Sequence, residues 1–141
     1  MKITARFATI EDMTAIAEKD TSLTESQLQW KLNNHEFIIS CINEGIIGFL
    51  RLEYLWSKIP YIGLIRVNHE HQRKGIGRQL LAFTEEVLAN RGMTKLYSSS
   101  QANEAEPQQW HRHMGFTECG IINGINDGIG EVLFVKLLSK I

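Results

Sequence analysis

The chain has 141 residues, is 43% hydrophobic and 22% charged, and carries a formal net charge of −1. That length fits one domain, residues 1–141, large enough to bury a core without disulfides or a structural metal. The near-zero charge excludes a global field drawing the protein to nucleic acid or a membrane surface, so any anion site has to be local.

Residues 1–7 alternate polar and apolar side chains and lack the continuous apolar run of a signal peptide. No segment approaches the length of a membrane span. Cys41 and Cys119 lie far apart in apolar surroundings and read as buried free thiols in a reducing compartment. These features predict a cytoplasmic protein that contacts neither nucleic acid nor membrane.

Ile3, Ala5 and Phe7 alternate with Lys2, Thr4 and Arg6, which predicts a half-buried first strand. Thr9-Ile10-Glu11-Asp12 opens a helix with Thr9 as N-cap, and Met13, Ile16 and Ala17 form its apolar face. Thr24-Glu25-Ser26-Gln27 opens a second helix through Leu28 and Trp30 to about Leu32, ended by Asn33-Asn34. The polar connection 19–23 between these helices is placed to face a substrate. Residues 37–42 and 46–54 form a hairpin about Asn43-Glu44-Gly45, and a short loop at 56–60 exposes Trp56.

Residues 62–67 read as a largely buried strand, and Ile76, Leu80, Phe83 and Val87 recur at helical spacing up to a stop at Gly92. Between them lies Gln72-Arg73-Lys74-Gly75-Ile76-Gly77-Arg78. Such a loop presents free backbone N–H groups at the positive end of a helix, and its three cations add mobile charge. The pattern predicts phosphate or pyrophosphate binding. Residues 95–99 form a further strand, joined to the earlier one by a right-handed crossover. A helix follows over 106–114, with Pro107 in its first turn. Residues 116–122 and 131–138 are the last strands, linked by a glycine- and asparagine-rich loop at 123–130. The sum is an α+β domain with a mixed sheet.

Spacing separates the glycine-loop families. No Gly-x-x-x-x-Gly-Lys-Ser/Thr string occurs, and a dinucleotide fingerprint fails because its third glycine position is Leu80 and no acid lies in 95–101. The remaining pattern, Gln72-x-x-Gly75-x-Gly77, resembles the acyl-CoA pyrophosphate loop of the GNAT-type N-acetyltransferase superfamily. Arg6-x-Ala8-Thr9-x-x-Asp12 is similar to that family's first strand and helix opening, and Met114-Gly115-Phe116 to the Gly-Phe after its fourth helix. The element order matches over nearly the whole chain. The resemblance implies a mixed, mostly antiparallel twisted sheet of six to seven strands with about four helices packed on its faces.

It also implies acetyl-CoA as acyl donor and a primary amine of a small molecule or protein as acceptor. The pyrophosphate would rest on Gln72, Arg73, Lys74, Gly75, Ile76, Gly77 and Arg78, with Asn103 as a further contact. The pantetheine would run along Ile65, Arg66 and Val67 like an added strand. The amine attacks the thioester directly, and a backbone N–H near Val67 stabilises the oxyanion. The family commonly places tyrosine four residues before the glycine of Gly-Phe, where this chain has His111. His111 is the candidate acid for the departing thiolate, against a role as a cofactor contact or surface residue. Glu53, which shares a strand face with Arg51, is the candidate base, against a role in an ion pair or a solvated face. His69-x-His71 and His111-x-His113 are not read as metal sites: helical residues two apart point away from each other, and basic neighbours flank the first pair. Two other readings stand beside the enzyme: a noncatalytic acyl-CoA-binding sensor of the same fold, and a nucleotide-binding module. Monomer and homodimer both remain open.

Overall fold

Turn-forming residues divide the chain into short strands, and among the described residues four helices lie between them, α2 capped by the Thr24 side chain. The computed structural model describes residues 2–139. In chain order the elements are β1 (Ile3–Phe7), a 3-10 turn (Ile10–Asp12), α1 (Met13–Lys19), α2 (Glu25–Asn33), β2 (Phe37–Ile42), β3 (Gly45–Leu55) and β4 (Ile59–Val67). A second 3-10 turn (His69–His71) leads to α3 (Ile76–Asn90), β5 (Lys95–Gln101), α4 (Ala105–His113), β6 (Thr117–Asn126) and β7 (Ile129–Leu137). The strands follow the order β1-β2-β3-β4-β5-β7-β6 in one seven-stranded sheet. The β4–β5 pair is parallel, with Tyr61 opposite Tyr97, whereas β1–β2, β2–β3, β5–β7 and β6–β7 are antiparallel. Among the described residues no helix is long and apolar enough to cross a membrane.

The chain divides into two compact units: residues up to Leu52 together with Leu64–Thr84, and Glu53–Gly63 together with residues from Glu85 onward. In the first, Ala8, Ile16, Leu28, Leu32, Phe37, Ile39, Cys41 and Phe49 form the apolar core. Two ion pairs brace it. Lys31 Nζ meets Glu36 Oε1 at 2.9 Å and also donates to the Leu52 carbonyl at 2.6 Å. Buried Asp20, in the connection between α1 and α2, binds Arg51 of β3 and accepts from the Ser22 N–H at 3.1 Å. Burial alone pushes the Asp20 carboxyl up, but the Ser22 N–H and the Arg51 guanidinium outweigh it and hold the group below its ordinary value.

The entry to α1 is fixed by Asp12. Its Oδ2 accepts the Thr9 N–H at 2.8 Å, and its two oxygens meet both terminal nitrogens of Arg6, at 2.9 and 3.0 Å. Arg6, with help from Thr9, lowers the Asp12 pKa against the upward push of burial. Asp12→Ala should cost about 1 kcal/mol in urea unfolding at pH 7, the usual value of a lost N-terminal cap. Because the folded pKa is the lower one, that contribution is complete above the unfolded value near ~3.9 and is lost as pH falls through the folded value.

In the second unit β7 lies between β5 and β6 and pairs antiparallel with both. Two loops are shorter than the sequence suggests. β4 already begins at Ile59, because Trp56 (φ 50°) and Ser57 (φ 60°) make the reversal in left-handed conformations. The segment read as a loop at 123–130 is mostly ladder: β6 runs to Asn126, β7 resumes at Ile129, and Asp127 (φ 47°) with Gly128 (φ 93°) makes a two-residue reversal. A register shift between Ile122 and Asn126, where Gly124 has φ 84°, takes up the extra residues as a bulge. Cys41 is buried as expected, but Cys119 is exposed on β6, the last strand in the sheet order.

Candidate active site

The basic loop lies wholly in the first unit. Where β4 ends, Asn68 fixes the chain: its N–H donates to the Ile47 carbonyl at 2.8 Å and its Nδ2 to the Ile46 carbonyl at 3.3 Å. Lys19 Nζ donates to Asn68 Oδ1 at 3.2 Å. The Gln72 amide then reaches back to the Val67 carbonyl at 3.3 Å, joining the loop to the strand end. Arg73 (φ 64°) and Gly75 (φ 79°) take left-handed conformations, which turn successive N–H groups toward one side. The Gly75 carbonyl accepts the Gln79 N–H at 3.0 Å, so α3 starts there and the N–H groups of Ile76, Gly77 and Arg78 occupy its first turn.

The loop is held from below and open above. Ile76 is buried, and a Cβ at Gly48 of β3 would stand 3.2 Å from its Cγ2 and 3.0 Å from the Arg66 carbonyl oxygen. Gly48 therefore lets the start of α3 approach the sheet. A Cβ on Gly75 would meet nothing within 4 Å. Gln72, Arg73, Lys74, Gly75 and Arg78 are exposed, as is Arg66, while Ile65 and Val67 are half-buried on β4. An open backbone cradle at a helix N-terminus, ringed by cations, suits a pyrophosphate.

The other predicted residues belong to the second unit. Asn103 is exposed between β5 and α4. His111 of α4 is only 3% exposed and lies flat on the Phe134 ring, 4.5 Å between centroids. Its Nδ1 lies 2.7 Å from the Pro107 carbonyl oxygen, which only accepts, so that nitrogen carries the proton. Its Nε2 then faces the Ser98 hydroxyl at 2.7 Å. Burial lowers the His111 pKa; the Pro107 bond opposes this but does not overcome it, and the resting imidazole is neutral. Any proton exchanged at Nε2 passes by way of Ser98.

Glu53 of β3 lies against β4: a Cβ on Gly63 would stand 2.7 Å from its Cγ and 2.9 Å from its Oε2. Gly63 is what leaves room for that carboxylate. Tyr61, two residues earlier, shares the Gly63 face. Its hydroxyl is 2.5 Å from Ser99 Oγ, which donates to Glu131 Oε2 at 2.5 Å, and Glu131 Oε1 accepts from Asn126 Nδ2 at 2.7 Å. Ser98 and Ser99 are consecutive on a strand and face opposite ways. Glu53 and His111 are thus on opposite faces of the sheet. Sequence reasoning overlooked Ser98, Ser99 and Glu131. A carboxylate opening the apolar run from Val132 and three serines in a strand were the signals available.

A search of curated proteins by sequence finds no match. Among solved structures, Ard1 from Thermoplasma volcanium is 15% identical with a TM-score of 0.83, covering 99% of this chain and 100% of its own. The ribosomal-protein-S18-alanine N-acetyltransferase from Escherichia coli is 20% identical with a TM-score of 0.79, over 99% of this chain and 96% of that one. A putative streptothricin acetyltransferase from Bacillus anthracis str. Ames, solved in complex with acetyl coenzyme A, is 21% identical over 73% of this chain and 62% of its own, with a TM-score of 0.66. These likenesses establish the fold. The model of the Acetyltransferase (GNAT) family matches residues 5–116, a span that takes in both the basic loop and α4, and on that match the chain belongs to the GNAT acetyltransferase family.

Proposed function

We propose that the chain transfers an acetyl group from acetyl-CoA to a primary amine of a small molecule or protein, by direct attack of the neutral amine on the thioester. The observation that carries this reading is the loop of a GNAT acetyltransferase held open at the N-terminus of α3, with Gly75 at φ 79° and free space above it. The Bacillus anthracis neighbour binds acetyl-CoA, and the Escherichia coli neighbour acetylates an alanine, which supports both halves of the reaction.

In this reading the N–H groups of residues 75–78, with Arg73, Lys74 and Arg78, hold the pyrophosphate, and Asn103 adds a contact. The backbone of Ile65, Arg66 and Val67 lines the pantetheine, and the Val67 end supplies the donor for the oxyanion. Glu53 receives the acceptor's ammonium by charge. His111, once protonated, passes its Nε2 proton to Ser98 as Ser98 passes its own to the thiolate. The whole chain acts as one catalytic domain in a cytoplasmic setting.

The test is release of CoA thiol from acetyl-CoA with a peptide bearing a free N-terminal alanine, a lysyl peptide and a small alkylamine. Turnover with at least one amine is expected, together with thermal stabilisation by acetyl-CoA and none by NAD. A ligand at a hundred times its Kd adds about 2.7 kcal/mol, well within reach of a melting experiment. Stabilisation by NAD alone would sink the donor assignment.

A further inference from the structure

The hydrogen-bonded chain in the second unit has a direction. Ser99 has one hydroxyl proton, and it points to the Glu131 carboxylate. Ser99 Oγ is therefore the acceptor toward Tyr61, whose own hydroxyl proton is committed to Ser99. Asn126 donates to the far oxygen of Glu131 and fixes the carboxylate from the other side, at the bulge of β6. The three strands β4, β5 and β7 thus carry a continuous path from a tyrosine oxygen to a carboxylate, with both hydroxyl protons aligned one way. Such a path moves a proton from Tyr61 to Glu131 without moving a heavy atom.

We infer that Tyr61, Ser99 and Glu131 are the route by which the acceptor ammonium loses its proton, with Glu131 as the final proton acceptor. The inference rests on the acetyl-transfer reading above. In the step, an N–H bond of the ammonium breaks and its proton goes to Tyr61 Oη. Tyr61 gives its own proton to Ser99, and Ser99 gives its proton to Glu131 Oε2. Both hydroxyls end with one proton each, the amine is neutral, and Glu131 is a carboxylic acid that returns its proton to water before the next cycle. Only Tyr61 touches the amine; Ser99 and Glu131 act through it. Glu53, beside Gly63 on the same face, draws the cation toward Tyr61. The groups that bear on Glu131 are Gln101 and Ser99 from β5, Ile122 and Asn126 from β6, and His111 of α4, whose protonated form feels its charge.

The experiment measures kcat/KM for CoA release with whichever of the three amines the wild type acetylates fastest, from about pH 6.5 to above that amine's pKa, in Glu131→Gln, Tyr61→Phe, Ser99→Ala and Ser99→Thr. Melting temperature and acetyl-CoA affinity are recorded for each. At pH 7 the first three should lose roughly 100-fold, the usual scale of a positioned base. The deficit should close as pH passes the amine's own pKa, about 8 for an α-amine, because solution then supplies the neutral nucleophile. Ser99→Thr, which keeps a hydroxyl, should stay within about threefold of wild type. A merely structural role would leave a loss that is constant with pH and tracks melting temperature. That pattern, or wild-type rates in Glu131→Gln and Tyr61→Phe, overturns the relay alone. Failure of the wild-type chain to release CoA with the alanyl peptide, the lysyl peptide or the alkylamine overturns the acetyl-transfer reading itself, and the relay with it.

Discussion

Gly75→Asp is expected to weaken acetyl-CoA binding roughly 100-fold, while Gly75→Asn loses less than about tenfold. The pair separates charge from backbone. Gly75 sits at φ 79° with open space where a side chain would project, so neither substitution meets a steric clash. Asparagine and aspartate both tolerate the left-handed region better than other residues, so both keep the chain path into α3. They differ in what they place at the helix N-terminus. Asparagine offers a neutral amide that also donates hydrogen bonds. Aspartate sets a fixed negative charge among N–H groups that the proposal reserves for a pyrophosphate, and it occupies them itself. Charge-assisted hydrogen bonds contribute about 1.5–3 kcal/mol each, so losing one or more gives the stated factor. Isothermal titration with acetyl-CoA reads it directly. Equal affinities in the two variants would show that no anion rests at this turn. The effect should also shrink with added salt, since part of it is Coulombic repulsion of an exposed site.

The two kinds of residue in the site differ in how far the sequence discloses them. The donor loop is local: strand end, cations, glycines and helix start are consecutive, and each leaves its mark within twelve residues. The spacing of Gln72, Gly75 and Gly77 therefore carries the structure with it. The groups proposed to carry protons are assembled across strands. Whether Ser99 meets Glu131 depends on the register of β5 against β7, with Gln101 opposite Glu131, and a slip of one residue would turn the carboxylate to the other face. Nothing in the sequence near either residue states that register. The hairpin at Asp127-Gly128 shows the opposite failure. Its Asp-Gly pair is a strong local signal for a two-residue reversal, yet the surrounding glycines and asparagines read as a long loop. The bulge at Gly124 accounts for that composition. Likewise the face shared by Glu53 and Gly63 is a packing fact, since only a missing Cβ on the neighbouring strand makes room for the carboxylate.

His111→Ala should destabilise the protein by about 3 kcal/mol, whatever the histidine does in catalysis. The imidazole is 3% exposed and fills space against Phe134 and Phe116, so truncation leaves a cavity beside two aromatic rings. It also removes the partner of the Pro107 carbonyl and of the Ser98 hydroxyl, both at 2.7 Å. His111→Phe refills the cavity but restores neither hydrogen bond, and should recover only part of the loss in urea unfolding. The pH dependence gives a second handle. Burial lowers the folded pKa below the unfolded value near ~6.5, so the unfolded chain binds the proton more readily. The contribution of His111 is therefore complete above that value and is lost as pH falls from it toward the folded pKa. Asp12 and Asp20, whose pKa values are also lowered, lose their contributions only below about 3.9, so the window just below about 6.5 reports on the histidine and not on them. Wild type should lose stability on acidification across that window, and His111→Phe should show a flatter profile. Identical slopes would mean that the imidazole takes up its proton in the folded state as readily as in the unfolded one, and the lowering of the His111 pKa by burial would have to be abandoned.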